Sequence, residues 1–203
     1  IAEHTVMLIL ELLRNGTLFY ENRKNKEWNK NRSAIELYGK TVAIAGCGSI
    51  GLEIAKRLNA FGAKIIGIDI YPVKSEYIAE CYKHDSIYSI ASSADIFISA
   101  MPYTKEIHHI FGARFFSAMK KSGMFVNISR GKLVDEAALI YALNNNVIKG
   151  AALDVFEEEP LTGESMLWNL DNLIITPHNS FVGDGNNERM FDVIYNNLKD
   201  WIG

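Results

Sequence analysis

Residues 46–51 read Gly46-Cys47-Gly48-Ser49-Ile50-Gly51, a GxGxxG pattern. A short β-rich run, Thr41 to Ala45, comes directly before it, and a second run, Lys64 to Ile70, follows later. Between the two runs, apolar residues recur at helical spacing, at Ile50, Ile54, Leu58 and Phe61. Gly62 follows them and suits a helix C-cap. The stretch therefore predicts a βαβ unit in which the glycine loop joins the first strand to the helix.

The same alternation of β-rich and helical stretches continues to the end of the chain. Further strands are predicted at Ile96 to Ala100, Met124 to Ile128, Ala151 to Val155 and Leu173 to Ile175, and helices at Asp135 to Leu143 and Glu188 to Trp201. Several strands are apolar at consecutive positions, as is typical where helices cover both faces of a sheet. The predicted fold is α/β, a Rossmann-type doubly wound parallel sheet with helices on both faces.

The N-terminal stretch, Ile1 to Arg14, is apolar nearly all round and predicts a buried helix, with Gly16 at the position of a C-terminal cap. Residues 17–34 are rich in charged and amide side chains, and they predict a solvated helix or connection around Trp28. Because a buried helix begins at Ile1 without a cap, we expect the chain to be part of a longer protein.

Composition restricts the class of partner. The 203 residues are 48% apolar with a net charge of -3, which argues against a nucleic acid and favours a small molecule. No apolar run has the length of a membrane span. The two cysteines, Cys47 and Cys81, are far apart and form no CxxC pair, so neither a zinc site nor a disulfide framework is expected, and Cys47 is interpreted as a packing residue. A reducing cytoplasm fits this composition.

Each position of the glycine loop has a physical role in holding a dinucleotide. Gly46 permits a tight turn, Gly48 lets a pyrophosphate approach the backbone, and Gly51 lets the helix pack closely on the strand. The N–H groups of Ser49 and Ile50 would face the pyrophosphate at the positive end of the helix. The alternatives are a glycine-rich turn that binds nothing, or one that binds FAD.

Asp69 ends the second predicted strand, eighteen residues after Gly51. A carboxylate there accepts hydrogen bonds from the adenosine ribose hydroxyls and repels a 2'-phosphate. The next three residues, Ile70 to Pro72, include no arginine that could neutralise such a phosphate. The sequence therefore predicts NAD as the cofactor in preference to NADP.

Three stretches near the ends of later predicted strands each carry an ionisable group. They are residues 127–131 with Arg130, residues 151–161 with three glutamates, and residues 176–180 with His178. An arginine can bind a carboxylate through two parallel hydrogen bonds, a histidine can exchange a proton near neutral pH, and a glutamate can hold that histidine in one tautomer. Taken singly, a surface ion pair, a solvated loop and a structural histidine are the alternative interpretations.

These stretches and the glycine loop, in this order, resemble the D-isomer-specific 2-hydroxyacid dehydrogenase family, from Ile1 to about Phe191. The resemblance implies that Arg130 binds the substrate carboxylate and carbonyl, that His178 is the acid/base, and that Glu159 is its partner. Glu159 is chosen over Glu157 and Glu158 because the family's acid directly precedes a proline, here Pro160.

The resemblance also implies further cofactor contacts and a division of the chain. Pro102 and Thr104 belong to a loop that flanks the nicotinamide, and Asp154 contacts its amide. Residues 1–38 correspond to an interdomain helix and connection, and residues 39–203 to the NAD-binding domain, with most of the substrate domain absent. We therefore expect the chain alone to bind NAD weakly and to catalyse little or nothing.

The implied function is NAD-dependent hydride transfer between nicotinamide and C2 of a small D-2-hydroxy acid or 2-oxo acid, in a homodimer without a metal. An adjacent pair, His108-His109, is expected to point its side chains in different directions, which argues against a metal site there. Phosphoglycerate and glycerate reductases stay open within the family. The alternative is a non-catalytic NAD-sensing module of corepressor type, which the acidic balance and the lack of an evident interaction tail disfavour.

Overall fold

The computed structural model describes residues 1–202, which form one seven-stranded parallel sheet with helices on both faces. The strand order is β3-β2-β1-β4-β5-β6-β7. The strands are β1 Thr41–Ala45, β2 Lys64–Asp69, β3 Glu80–Lys83, β4 Ile96–Ser99, β5 Met124–Asn127, β6 Gly150–Leu153 and β7 Leu173–Ile175. The chain builds outward from β1 to β3 and then returns to place β4 on the other side of β1, which confirms the predicted Rossmann-type doubly wound fold.

The predicted strands are present, with ends that differ by at most two residues. The sequence did not reveal β3, a short edge strand that pairs with β2. Its residues are mostly exposed and polar, so no apolar pattern marks it. It is a strand because its backbone completes the hydrogen bonds at the edge of β2.

Seven α-helices lie within residues 1–202. They are α1 Ala2–Arg14, α2 Gly16–Asn25, α3 Ser49–Ala60, α4 Ile87–Ser93, α5 Ala113–Ala118, α6 Glu136–Asn144 and α7 Asn186–Ile202. The prediction that Gly16 caps α1 is wrong, because Asn15 adopts the left-handed conformation at φ 52° and Gly16 begins α2. Asparagine tolerates this conformation better than most other side chains.

Two apolar cores cover the two faces of the sheet. In β4, Phe97 packs with α4, α5 and α6, whereas Ile96 and Ile98 pack with α1 and α3 on the other face. The first core contains aromatic rings in edge-to-face contact, such as Phe97 against Phe115 at 4.8 Å between centroids. The apolar side of α1 is buried within this chain, so it does not by itself indicate a dimer contact. The division of the chain at residue 38 stays a prediction.

Because all strands are parallel, their carboxyl ends lie along one edge of the sheet, and the loops that follow them are neighbours. These loops begin after Ala45, Asp69, Ser99, Asn127 and Leu153, and the loop after β7 joins them. Every residue of the predicted site lies on one of these loops, at a strand end or at the start of α3. Within residues 1–202, no helix combines the length and apolarity needed to cross a membrane.

Candidate active site

The glycine loop has the geometry that its sequence predicts. Gly46 has φ 95°, and a Cβ atom there would lie 2.6 Å from the carbonyl group of Ala100. A Cβ atom on Gly51 would collide with the carbonyl oxygen of Gly46, so helix and loop approach closely only because both residues are glycine. Gly48 faces open space, with nothing within 4 Å of the position a Cβ would take.

The first turn of α3 presents backbone donors at this open space. Gly48 is its N-cap and has no side chain that could accept a hydrogen bond from the backbone N–H groups of the first turn. Ser49 and Ile50 are exposed beside it. Such a helix start combines unpaired N–H groups with the positive end of the helix dipole, so the loop fits the pyrophosphate of a dinucleotide.

Asp69 lies at the end of β2 with its carboxylate directed at the glycine loop. Its Oδ2 accepts a hydrogen bond from the Cys47 backbone N–H at 2.7 Å, and its Oδ1 accepts one from the Tyr71 N–H at 3.0 Å. A carboxylate has about four acceptor positions, so both oxygens can still accept a ribose hydroxyl. The exposed Ile70 and Tyr71 beside it bring no positive charge.

Pro102 and Thr104 lie on the loop after β4, where both are exposed. The loop starts at Ala100, whose carbonyl group lies 2.6 Å from the position that a Cβ atom would take on Gly46. The start of this loop therefore lies beside the glycine loop, and the contact of Pro102 and Thr104 with a nicotinamide stays a prediction.

His178 and Glu159 come from two different loops and form a direct hydrogen bond. The Nδ1 atom of His178 lies 2.7 Å from Oε2 of Glu159. The other carboxylate oxygen of Glu159 accepts a hydrogen bond from the Phe156 backbone N–H at 2.9 Å, which fixes the acid in place. Because the carboxylate faces Nδ1, that nitrogen carries a proton and Nε2 is the atom that can exchange one with a substrate.

The other two glutamates of this loop do not contact His178. Oε1 of Glu157 accepts a hydrogen bond from the Glu136 backbone N–H at 3.2 Å and lies 3.1 Å from His109 Nε2, and Glu158 is exposed. The Glu136 carboxylate in turn accepts the Glu157 N–H at 2.7 Å. Burial raises the pKa of Glu136, and the neighbouring Glu157 charge adds to this rise. Of the three glutamates, Glu159 is therefore the one that hydrogen-bonds to His178.

Arg130 follows β5 and shares a cleft with the histidine and its partner. A cleft of about 510 Å³ is lined by Arg130, Tyr103, Glu159 and His178, among others. The guanidinium donates to the Ser129 carbonyl at 2.6 Å, and Arg130 forms no salt bridge with any residue among 1–202. The alternative interpretation, a surface ion pair of Arg130, is therefore not observed among residues 1–202. The guanidinium can bind an anion in the cleft.

Asp154, which the resemblance assigns to the nicotinamide amide, is buried and does not line this cleft. It is 0% exposed, and its carboxylate accepts hydrogen bonds from the Thr176 hydroxyl at 2.6 Å and the Asn179 and Ser180 backbone N–H groups at 2.8 and 3.0 Å. Burial alone would raise the pKa of Asp154, but these hydrogen bonds outweigh it and hold the pKa below its usual value. The Asp154 side chain is thus not exposed in this structure, and its contact with the nicotinamide amide stays a prediction.

Sequence reasoning missed the residue that completes this buried cluster. His4 Nε2 lies 3.0 Å from the Thr176 hydroxyl and 3.5 Å from the Asp154 carboxylate. Because that hydroxyl gives its proton to Asp154, His4 must be the donor, so its Nε2 carries hydrogen. No local sequence signal could reveal a contact between residues 172 positions apart.

The expected directions of His108 and His109 are wrong. The two rings stack with their centroids 3.8 Å apart. The expectation assumed regular structure, whereas His109 has φ 55° and turns its ring beside its neighbour. Within residues 1–202, no group of three or more side chains suitable for a metal ion comes together.

Comparison with known proteins identifies the architecture. Residues 6–180 match the family described as D-isomer specific 2-hydroxyacid dehydrogenase, NAD binding domain. The D-3-phosphoglycerate dehydrogenase of Methanocaldococcus jannaschii is 42% identical over 182 residues, which cover 88% of this chain and 34% of that protein.

Solved structures agree. A D-isomer specific 2-hydroxyacid dehydrogenase family protein from Aeromonas salmonicida matches with a TM-score of 0.87 and 34% identity, over 96% of this chain and 62% of that one. An NADPH-dependent glyoxylate/hydroxypyruvate reductase from Sinorhizobium meliloti, solved with NADP and sulfate, matches with a TM-score of 0.79 and 32% identity, over 87% of this chain and 57% of that one. The chain thus spans from about a third to three fifths of the length of these relatives.

Proposed function

The chain belongs to the D-isomer-specific 2-hydroxyacid dehydrogenase family, as its NAD-binding domain, and we propose that it supplies the cofactor site and the catalytic Arg130, Glu159 and His178 of an NAD-dependent dehydrogenase. The proposed reaction is hydride transfer between the nicotinamide and C2 of a small D-2-hydroxy acid or 2-oxo acid. The single observation that carries this proposal is the 2.7 Å hydrogen bond between His178 and Glu159 in the cleft that Arg130 also lines.

The three side chains have complementary roles in the direction of reduction. Arg130 binds the substrate carboxylate and polarises the keto oxygen, and His178 donates a proton from Nε2 to that oxygen. Glu159 holds Nδ1 protonated and stabilises the charged imidazole. The bound cofactor supplies the hydride. Proton donation by a positioned group contributes roughly 10² to 10⁴ in rate.

We propose that the cofactor is NAD rather than NADP. Gly46, Gly48 and Gly51 would hold the pyrophosphate against the start of α3, and Pro102 and Thr104 would flank the nicotinamide. Asp69 would accept the ribose hydroxyls and repel a 2'-phosphate. Family membership does not decide this preference, because the relative from Sinorhizobium meliloti is NADPH-dependent. The argument therefore depends on the charge of Asp69.

We also propose that the whole protein is a homodimer. The segment around α2 supports this, because Phe19, Tyr20 and Trp28 are 50%, 56% and 94% exposed. Aromatic side chains with such exposure are typical of interfaces. Sedimentation velocity of the whole protein should give a dimer that Trp28→Ala weakens, and a monomer at micromolar concentration would contradict the proposal.

Turnover by the whole protein tests the catalytic proposal. With NADH and a panel of 2-oxo acids that includes glyoxylate, hydroxypyruvate and phosphohydroxypyruvate, we expect at least one substrate to be reduced. His178→Gln should lower kcat by roughly 10² or more while the dissociation constant of NADH stays within about twofold. His84→Gln is the matched control, because His84 is exposed and lies outside the cleft. Full turnover by the His178 variant would exclude His178 as the acid/base.

A further inference from the structure

Cys47 and Cys81 are 34 positions apart in the sequence, but their sulfur atoms lie 4.0 Å from each other. Cys47 belongs to the glycine loop, and Cys81 lies on β3. Both are free thiols. We infer that this pair is a thiol–disulfide exchange site for low-molecular-weight disulfides, and that closing the Cys47–Cys81 bond weakens cofactor binding at the glycine loop. The second half of this inference rests on the proposed position of the cofactor.

Gly67 makes the contact between the two sulfur atoms possible. It lies on β2 opposite Cys81, and a Cβ atom there would be 2.7 Å from the sulfur of Cys47 and 2.9 Å from that of Cys81. Any other residue at position 67 would push the thiols apart or displace a strand. A disulfide has an S–S length of about 2.05 Å, so closure requires the sulfur atoms to approach by about 2 Å.

The two thiols differ in accessibility, and this difference sets the order of events. Cys47 is 1% exposed, whereas Cys81 is partly exposed. Burial raises the pKa of the Cys47 thiol to about 12, and the neighbouring Cys81 and Asp69 also raise it. Cys81 is therefore the residue that attacks an incoming disulfide, since the nucleophile must be an accessible thiolate.

The chemistry balances in two exchange steps. The Cys81 thiolate attacks a small disulfide, forms a mixed disulfide and releases one small thiolate. Cys47 then loses its proton to solvent and attacks the Cys81 sulfur, which forms the intramolecular bond and releases the second small thiolate. The two protein thiols are oxidised by two electrons, and the small disulfide is reduced to two thiols.

The high pKa of Cys47 makes the second step slow but does not forbid it. Burial keeps the pKa of the Cys47 thiol raised, but the part of the rise that is due to Cys81 ends once Cys81 is held in the mixed disulfide. The 4.0 Å contact between the two sulfur atoms also favours the intramolecular step over attack by a thiol from solution. The rate of closure should therefore rise about tenfold per pH unit.

Closure would act on the cofactor site through the backbone of Cys47. Its N–H donates to Asp69 Oδ2 at 2.7 Å, and it lies between Gly46 and Gly48. Pulling the Cys47 sulfur toward β3 displaces this N–H from Asp69, the proposed ribose ligand, and reshapes the loop that faces the pyrophosphate. Hydrogen-bond donors that are misplaced by even about 1 Å lose most of their contribution to ligand binding.

The experiment uses this 203-residue chain, whose cysteines are Cys47 and Cys81 alone. The chain is incubated with glutathione disulfide between pH 7 and 9 and followed by intact mass and thiol titration. NADH binding is measured by fluorescence and loop geometry by amide NMR. We expect both thiols to disappear with the loss of two hydrogen atoms. The amide resonances of Gly46, Gly48 and Gly51 should shift, and the NADH dissociation constant should rise at least tenfold. Dithiothreitol should reverse all three changes. Cys81→Ser should bind NADH like the reduced chain and resist the treatment.

Two results would overturn the inference. A glutathione adduct that persists on Cys81 at pH 9 would show that Cys47 does not complete the exchange. A closed disulfide with unchanged loop amides and unchanged NADH affinity would show that β3 alone moves. A reduced chain that binds no NADH would count against the proposed function. The changes in mass and in the amide resonances would still show whether the Cys47–Cys81 bond forms and alters the glycine loop.

Discussion

At the scale of single residues, the contact between Glu159 and His178 determines which imidazole nitrogen faces a substrate. Glu159→Gln keeps the size of the side chain but removes the charge that stabilises a protonated imidazole. In the whole protein we expect kcat to fall by about 10² with little change in NADH affinity. Steady-state kinetics checks this, with Glu158→Gln as the control, since Glu158 is exposed on the same loop. Equal losses in both variants would assign the effect to the loop rather than to the contact.

Asp154 gives a pH-dependent contribution to stability. Its hydrogen bonds hold its pKa below the usual value, so its contribution is complete above the unfolded pKa of about 3.9 and is lost as the pH falls through the folded pKa. Asp154→Asn should lower the free energy of unfolding by roughly 2 kcal/mol or more at pH 7. Urea unfolding of both proteins should show this difference narrowing below about pH 4. A difference independent of pH would contradict the assignment.

The local sequence was enough to predict that Asp69, Arg130 and His178 follow strands. It could not predict side-chain contacts between segments that are far apart in the chain. Nothing near His4 in the sequence indicates its hydrogen bond with Thr176, and nothing near Cys47 indicates Cys81. The burial of Asp154 was missed for the same reason, because the groups that surround it come from the loop after β7 and from α1.

At the scale of elements, the close packing of α3 on the glycine loop is the feature most sensitive to substitution. A Cβ atom at residue 51 would strike the Gly46 carbonyl, so Gly51→Ala forces helix and loop apart. We expect a loss of roughly 1–3 kcal/mol in unfolding free energy, and weaker NADH binding. Chemical denaturation checks this against Gly163→Ala, where a Cβ meets nothing within 4 Å. Equal stability of the two variants would contradict the close contact.

Elements were predictable where their side chains repeat with a clear period. The six predicted strands are short apolar runs, and helices α1, α3, α6 and α7 each carry apolar residues over two or more turns. Helices α4 and α5 span seven and six residues, which is too short for a helical period to be distinguished from a loop. The exposed edge strand β3 has no apolar pattern, because only its backbone contributes to the sheet.

At the scale of the whole molecule, the parallel sheet brings loops from across the sequence to one edge. The cofactor loop lies near the centre of the strand order, and Arg130, Glu159 and His178 follow strands on one side of it. This arrangement lines a cleft. The relatives compared above are longer than this chain, and weak NAD binding and low turnover by the chain alone stay a prediction.

The most direct test of the central claim is a parallel calorimetric titration of this chain with NADH and NADPH, repeated with Asp69→Ala and with the control Asp171→Ala. Asp171 lies before β7, at the opposite edge of the sheet. We predict that NADH binds more tightly than NADPH, that Asp69→Ala abolishes this preference, and that Asp171→Ala retains it. Tighter binding of NADPH, or a preference that survives Asp69→Ala, would contradict the account of the cofactor site.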